Sequence, residues 1–130
     1  MMAGRFLLDT NIVIALNKGD LQVSQNIQSS EFVALSITIA GELLYGARKS
    51  ERRDQNLNQL ESLFQSITVL NCDLETARQY ALIKDALRRK GRPIPENDIW
   101  IAALASQHNL IVATRDSDFS AIPNLEIALW

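Results

Sequence analysis

Residues 6–17 have the sequence FLLDTNIVIALN, in which three apolar residues are followed by Asp9 and then by apolar residues at helical spacing. The apolar triplet predicts a short buried strand that ends at Asp9, and residues Thr10 to Asn17 predict a helix that stops at Gly19. A strand that ends in an acid and leads into a helix is typical of an α/β fold.

The same alternation continues along the chain. Further strands are predicted at Phe32 to Leu35, Ile67 to Leu70, Leu110 to Ala113 and Leu125 to Leu129. Further helices are predicted at Thr38 to Arg48, Asp54 to Gln65, Asp73 to Lys90 (apolar face Leu74, Ala77, Ala81 and Leu87) and Asn97 to His108. Strands separated by helices indicate parallel pairing, because a parallel pair needs a crossover that a tight turn cannot supply. We therefore expect an α/β protein with a central parallel sheet of five strands and helices on both faces.

Length and composition fit one soluble domain spanning residues 1–130. Of the 130 residues, 47% are hydrophobic and 22% are charged, as in average globular domains. Cys72 is the only cysteine, which excludes an intramolecular disulfide and predicts a small buried side chain. The longest apolar run, Ile99 to Ala105, is far shorter than a membrane span, and no secretory signal pattern is seen, so we expect no membrane association and a cytoplasmic location.

Four acidic residues are predicted to converge. Ligands of parallel α/β sheets bind beyond the carboxyl ends of the strands, and Asp9 and Asp116 follow two of these ends. Glu42 lies early in the helix after the second strand, among apolar residues. Burial of an unpaired carboxylate in such surroundings costs free energy, so we expect a cation as its partner. Asp98 lies at the start of the helix that follows Pro95.

Each acid also has a structural interpretation. Asp9 and Asp98 are suitable helix caps, and Asp116 and Asp118 are suitable turn formers. The lone histidine, His108, is predicted to compensate the dipole at the end of its helix instead of acting as a catalytic base.

Clustered carboxylates repel one another, and a hard cation between them relieves the repulsion. An all-oxygen ligand set suits Mg²⁺ or Mn²⁺. Such an ion can polarise a phosphoryl oxygen and activate a water, so the reaction best served is phosphodiester hydrolysis.

The basic residues are clustered although the net charge is −2. One group is Arg48, Lys49, Arg52 and Arg53, and the other is Lys84, Arg88, Arg89, Lys90 and Arg92. They are either solvated helix ends or two surfaces that hold the backbone of a nucleic acid, with Arg48, Arg52, Arg88, Arg89 and Arg92 as the candidate RNA contacts.

Four segments together carry a resemblance to a known family. They are residues 6–11 (FLLDTN), 37–46 (ITIAGELLYG), 94–103 (IPENDIWIAA) and 113–119 (ATRDSDF). Their acids are 33, 56 and 18 positions apart and span almost the whole chain. In order and spacing these segments resemble PIN-domain ribonucleases, and specifically the VapC toxins of VapBC toxin–antitoxin pairs.

The resemblance implies a PIN-like three-layer α/β/α fold, Mg²⁺ or Mn²⁺ as cofactor, and endonucleolytic cleavage of RNA, with tRNA or another structured RNA as substrate. Asp9, Glu42, Asp98 and Asp116 match the catalytic and metal-binding positions. Supporting polar positions of the family fall on Thr10, Asn11, Asn97 and Thr114, and Asp118 is the reserve for the fourth acid. A VapB-like antitoxin and a homodimer are the partners that the resemblance implies.

Two departures from the family pattern and two alternative functions remain open at this stage. The first departure is the fourth acid, because Asp116 and Asp118 would share a face if the segment after Thr114 were extended, whereas a turn would separate them. Gly41 stands where the family more often has alanine, which predicts a looser helix start or a close neighbour. The alternatives are a metal-dependent phosphatase or phosphoryl-transfer domain, and a silent PIN domain that binds RNA or protein without cutting. The first lacks a second acid two residues after Asp9, and the second is disfavoured because all four acids are present.

Overall fold

The computed structural model describes residues 4–130, so that residues 1–3 of the predicted domain lie outside the described residues. The strands are β1 (Arg5–Leu8), β2 (Phe32–Ser36), β3 (Thr68–Leu70), β4 (Ile111–Thr114) and β5 (Ile127–Leu129). The helices are α1 (Thr10–Asn17), α2 (Leu21–Gln28), α3 (Ile37–Arg48), α4 (Arg53–Ser66), α5 (Leu74–Lys90) and α6 (Glu96–His108), and Ser117–Ala121 form a short 3₁₀ helix. No helix within residues 4–130 combines the length and the apolar character that crossing a membrane requires.

As predicted, the five strands form one parallel sheet, and their order is β3-β2-β1-β4-β5. From β1 the chain moves outward to β2 and β3, then returns across the sheet through α5 and α6 to β4. Because such crossovers are almost always right-handed, this reversal puts α5 and α6 on the opposite face from the helices that link β1, β2 and β3. The reversal point lies between β1 and β4, and ligands of open parallel sheets bind in the crevice at this point.

The core lies on both faces of the central strands. Leu7 and Leu8 of β1 and Val112 of β4 are completely buried, and five consecutive residues of α6, 101–105, are almost completely inaccessible to solvent. A helix that is apolar all round is a core helix. The middle of α6 is therefore buried in the core, whereas its first two residues, Glu96 and Asn97, are exposed.

Three local features differ from the sequence prediction. Helix α2 was not predicted, because LQVSQNIQ is mostly polar and buries only Val23; it starts where the Asp20 carboxylate accepts the Val23 N–H at 3.1 Å. On α5, Leu74 and Ala81 are exposed, and the buried positions are Thr76, Ile83 and Leu87. Thr76 is buried because its hydroxyl contacts the Gln107 side chain of α6 and completes a capping box with Asp73. Cys72 is half-buried, and burial raises the pKa of its thiol.

Candidate active site

Asp9 lies directly after β1 at the crevice between β1 and β4. Its backbone N–H donates to the Ala113 carbonyl at 2.9 Å, so the residue extends the pairing with β4 by one position. One carboxylate oxygen, Oδ1, accepts the Thr10 N–H at 2.8 Å and caps α1. The other, Oδ2, accepts the Thr114 hydroxyl at 2.7 Å. Asp9 thus has the predicted capping role, and in addition it is a buried carboxylate of fixed orientation, 6% exposed.

Asp98 lies in the first turn of α6, but it does not cap this helix. The N-cap residue is Pro95, which has no side chain that could accept a hydrogen bond. No donor among residues 4–130 forms a hydrogen bond with the Asp98 carboxylate. Burial raises the pKa of Asp98 to about 6, and the negative charges of Asp9, Asp116, Glu42 and Asp118 add to the increase in that order.

Glu42 connects three helices through its carboxylate. Oε2 accepts the Thr10 hydroxyl of α1 at 3.0 Å, and Oε1 accepts the side-chain amide of Asn97 at the start of α6. The sequence suggested a cation as the partner of this carboxylate, whereas in the structure two neutral donors satisfy it. Glu42 is half-exposed at the mouth of the crevice, so solvent supplies part of the stabilisation that a cation would give to its negative charge.

Asp116 is bound more closely into the acidic group than Asp118. The Asp116 N–H donates to the Thr114 hydroxyl oxygen at 2.9 Å, and its Oδ1 accepts the Asp118 N–H at 2.9 Å at the start of the 3₁₀ helix. Asp118 is paired instead with Arg92, whose Nη2 lies 3.3 Å from Oδ1. The segment after Thr114 is thus a turn, the short 3₁₀ helix, which separates the side chains of Asp116 and Asp118.

The electrostatics show that these carboxylates are neighbours. Burial is the largest cause of the raised pKa of Asp9; hydrogen bonds from Thr114 and Thr10 oppose it, and the charges of Asp116 and Glu42 add to it. Asp9, Glu42, Asp98 and Asp116 thus lie within one electrostatic neighbourhood, although they come from four different elements. Asp118 influences only Asp98 and is the weakest of the named charges there.

A divalent cation fits this donor set in its chemistry. All the donors are oxygens, their mutual repulsion is the kind that a hard cation relieves, and the Asp98 carboxylate lacks a partner. Within the described chain, however, no three Asp, Glu, His or Cys side chains already form a ready-made ion cage.

The remaining predicted residues surround this group at different distances. The Asn11 Oδ1 accepts the Arg115 N–H at 3.3 Å, so Asn11 supports the loop that carries Asp116. Arg92 is joined to the acids through Asp118. His108 lies in the last turn of α6, ten residues after Asp98 and therefore about 15 Å away along the axis, in agreement with a capping role.

A support formed by Arg115 was not predicted from the sequence. Its Nη2 lies 2.7 Å from Oδ2 of Asp20, and its Nε donates to the Trp130 carbonyl at 3.0 Å. Arg115 thereby ties the loop before Asp116 to the start of α2 and to the end of the chain. Asp20 is 95 positions away, and no local pattern links the two residues.

Comparison with known proteins agrees with the fold. The PIN domain family model matches residues 6–125. The ribonuclease VapC2 of Haemophilus influenzae is 34% identical over 130 residues, covering 97% of this chain and 98% of the relative. The tRNA(fMet)-specific endonuclease VapC of Salmonella typhimurium is also 34% identical, with the same coverage. Among solved structures, VapBC2 from Rickettsia felis bound to a promoter DNA fragment superposes with a TM-score of 0.89 at 28% identity, covering 100% of this chain and 99% of that chain.

A parallel α/β sheet with acids beside its reversal point is the arrangement that the four sequence segments led us to expect of a PIN-domain nuclease. With the family model matched over nearly the whole chain and full-length relatives above 30% identity, this chain belongs to the PIN domain family, among its VapC ribonucleases.

Proposed function

We propose that this chain is a divalent-metal-dependent endoribonuclease toxin that hydrolyses phosphodiester bonds of RNA. The observation that carries the proposal is the position of Asp98: an unbonded carboxylate with a pKa of about 6, beside Asp9, Asp116 and Glu42 at the sheet's reversal point. Membership of the VapC ribonucleases supports the reaction, and it disfavours the phosphatase alternative.

We assign Asp9, Glu42, Asp98 and Asp116 as the catalytic residues and as those that would hold Mg²⁺ or Mn²⁺, with Asp118 in reserve. The bound ion would polarise a phosphoryl oxygen and lower the pKa of the attacking water. Thr114 holds Asp9 and the Asp116 backbone in a fixed relation, and Thr10 and Asn97 orient Glu42. Glu42 Oε2, bonded only to a hydroxyl, is the atom we assign to orient the water.

Binding of RNA requires that these negative charges be offset. Of the predicted basic contacts, Arg92 lies next to the acids through its pair with Asp118. Arg48, Arg52, Arg88 and Arg89 are exposed. We propose that these five arginines contact substrate phosphates and give binding a strong dependence on salt.

Partners and organisation are proposed from the relatives. The solved relatives include toxin–antitoxin complexes, so we propose a VapB-like antitoxin, a homodimer and a cytoplasmic location for this single-domain chain of residues 1–130. A small protein encoded by the adjacent reading frame, co-expressed with the chain, should co-purify with it and suppress its activity. Free, active chain in the presence of that protein would contradict the partner assignment.

The reaction is tested by cleavage of purified tRNA, the substrate class named for the Salmonella typhimurium relative. Asp9→Asn, Glu42→Gln, Asp98→Asn and Asp116→Asn should each abolish cleavage with added Mn²⁺ or Mg²⁺, whereas wild type should cut and should stop cutting in chelator. Asp54→Asn is the matched control, because Asp54 also lies in the first turn of a helix but its side chain is 95% exposed.

Comparison of Asp116→Asn with Asp118→Asn identifies the fourth acid. Cleavage that survives chelator, or survives Asp98→Asn in a preparation free of other nucleases, would refute the proposed metal-dependent mechanism. A protein that binds RNA tightly and never cuts it under any divalent ion would instead match the silent PIN domain.

A further inference from the structure

The first turn of α6, residues 96–98, carries two side chains of the candidate site, yet it precedes the buried part of the helix. Glu96 and Asn97 are exposed, whereas Ile99 is almost completely buried. The N-cap residue, Pro95, provides no side-chain hydrogen bond to this turn. Helix ends fray more easily than helix interiors, so the orientation of this turn depends on contacts that its own side chains make.

Two side chains of α5 hold one side of this turn. The Tyr80 hydroxyl donates to Oε1 of Glu96, and Lys84 Nζ lies 3.1 Å from Oε1 and 3.2 Å from Oε2 of the same carboxylate. Lys84 also donates to the Tyr80 hydroxyl oxygen at 3.0 Å, so the three side chains form a closed network. We call Tyr80, Lys84 and Glu96 the α5–α6 clamp.

A second aromatic residue fixes the ring of Tyr80. Trp100 lies one turn after Glu96 on α6, and its ring stacks on that of Tyr80, with the centroids 4.1 Å apart and the planes at 14°. Lys84 Nζ lies 5.5 Å from the centre of the Tyr80 ring. The Tyr80 hydroxyl therefore contacts Glu96 from a fixed position, although the side chains of Lys84 and Glu96 are half-exposed.

Apolar packing leaves room at this end of the helix pair. A cleft of about 360 Å³ lies between the end of α5 and the start of α6, and its apolar lining includes Leu87, Ile94 and Ile99. Lys84 and Glu96 line the same cleft from opposite helices, and their ion pair joins its two walls. The clamp therefore connects α5 to the first turn of α6 where apolar contact between them is incomplete.

The clamp and the acid site contact this turn from different sides. At about 100° per residue, Asn97 points about 100° and Asp98 about 160° away from Glu96 around the helix axis. The Asn97 amide contacts the Glu42 carboxylate, so α3 holds the turn on that side. The Asp98 carboxylate has no such contact, and its position is set by the two neighbours that precede it.

A small rotation of this turn is enough to disturb the site. The end of a side chain lies about 5 Å from the axis of its helix, so a rotation of about 20° moves it by about 2 Å. A misplacement of about 1 Å can reduce the rate of an enzyme by about 100-fold. A contact made by Glu96 can therefore decide where the Asp98 carboxylate lies relative to the other acids.

We propose that the α5–α6 clamp positions the divalent-ion site, because it holds Glu96 and thereby directs Asn97 and Asp98 toward the other acids. Tyr80, Lys84 and Glu96 are then positioning residues, and none of them has to touch the ion or the RNA. This inference rests on the proposed function for the identity of the bound ion, and it adds residues of α5 that lie outside the acidic group.

The test measures binding of Mn²⁺ to the RNA-free protein, from the electron paramagnetic resonance signal of the free ion. Tyr80→Phe removes the hydroxyl and keeps the stacked ring, and Lys84→Gln removes the charge. Each should weaken Mn²⁺ binding by about ten-fold, the lower end of the effect of residues that orient metal ligands. The Tm of each variant in chelator should stay within about 3 °C of wild type, because exposed ion pairs contribute little to stability.

Arg78→Gln is the matched control for Lys84→Gln. Arg78 forms an exposed ion pair with Glu75 at 3.3 Å, within α5, so its loss changes the net charge equally without releasing α6. Mn²⁺ binding by this control should stay within about two-fold of wild type. Lys84→Arg can still pair with the Glu96 carboxylate, and it should bind Mn²⁺ within about three-fold of wild type.

Amide hydrogen exchange locates the effect without metal. The N–H groups of Asp98 and Ile99 donate to the Pro95 carbonyl at 3.1 and 3.2 Å, and they report on the first turn of α6. In Tyr80→Phe these two groups should exchange faster than in wild type, whereas those in the buried middle of α6 should be unchanged.

Three results would overturn the proposal. They are wild-type Mn²⁺ affinity in both Tyr80→Phe and Lys84→Gln, an equal loss of affinity in Arg78→Gln, and faster exchange along the whole of α6, which would make the clamp a support of the fold only. Binding is measured without cleavage. A wild type that binds Mn²⁺ in a clamp-dependent manner but never cuts RNA would therefore refute the proposed enzyme and support the clamp.

Discussion

Replacement of Asp98 by asparagine should stabilise the metal-free protein at neutral pH while it removes activity. The folded chain holds the Asp98 pKa at about 6, against 3.8 for the same group when exposed. The folded state therefore binds a proton more tightly than the unfolded state between these two values. The contribution of Asp98 to the free energy of unfolding must then fall as the pH rises from about 4 to about 6, and stay lower above that range.

The size of the effect follows from the shift. A shift of about two pKa units corresponds to at most roughly 3 kcal/mol, and screening by solvent at this partly exposed carboxylate reduces the cost of its ionised form to about 1.5–2 kcal/mol at neutral pH. Asparagine removes this cost and breaks no hydrogen bond, because the Asp98 carboxylate accepts none from the described residues. The variant loses the favourable interaction of a charge with the helix start, which is about 0.3–1 kcal/mol. The net gain is about 1 kcal/mol, or a rise in Tm of roughly 3–6 °C.

The assay is thermal and urea unfolding in chelator, at about pH 4 and about pH 7.5, where the linkage relation predicts the smallest and largest differences. Asp54→Asn measures the loss at a helix start alone, since Asp54 occupies the first turn of α4 and its side chain is 95% exposed. Added Mn²⁺ should stabilise wild type more than Asp98→Asn, and it should therefore reduce the difference in their free energies of unfolding. If Asp98→Asn is less stable than wild type at neutral pH in chelator by more than Asp54→Asn is, the reasoning is refuted.

Three further changes test the supports of the site and the fold. Thr114→Val removes a buried hydroxyl that is bonded to a carboxylate, so it should lower the free energy of unfolding, measured in urea, by about 2 kcal/mol. The variant should also lose the Mn²⁺-dependent rise in Tm. An unchanged rise would show that this hydroxyl does not support the metal site. Arg115→Gln breaks a half-exposed ion pair and should change the free energy of unfolding of the metal-free protein by less than about 1 kcal/mol. It should nevertheless reduce the Mn²⁺-dependent rise in Tm. An equal effect on metal-free stability and on this rise would show that the role of Arg115 is structural only. Gly41→Ala should raise the free energy of unfolding by about 0.5–1 kcal/mol, because Gly41 is a helical residue with open space around it. Gly91→Ala should lower the free energy of unfolding, because Gly91 has a φ of +64°. A loss of stability in Gly41→Ala would contradict the helix-propensity argument.

The architecture could be predicted from the sequence because apolar strands and amphipathic helices alternate with clear ends. Every strand was located, and the order of the sheet then follows the usual rules for parallel connections. Helix α2 was missed because its cap, Asp20, is the only strong signal in a polar stretch. The buried face of α5 was misplaced because Thr76 takes a core position through its contact with Gln107 on another helix, which no single-helix pattern contains.

For the site, the sequence predicts which acids meet but not how each is held. Asp9 and Asp116 follow strand ends, and topology alone brings them together. The pairing of Glu42 with Thr10 and Asn97 depends on the angle at which α3 and α6 approach, and this angle results from packing of the whole core. Likewise the two basic clusters look alike in sequence, and only their acid partners in the folded chain distinguish them.

The arrangement of hydrogen bonds around the acids explains how the chain can fold without an ion and still bind one. Asp9 is fixed by Thr10 and Thr114, so its cost of burial is partly offset in the metal-free state. Glu42 accepts hydrogen bonds from neutral donors, which stabilise its carboxylate moderately. A cation can replace these donors, and because they are uncharged, no unpaired buried charge is left when it does. Asp98 alone has no such compensation, and its raised pKa records the energy that a cation would recover. The affinity of the site for a divalent ion should therefore depend most on Asp98, the residue whose ionised form the fold itself does least to stabilise.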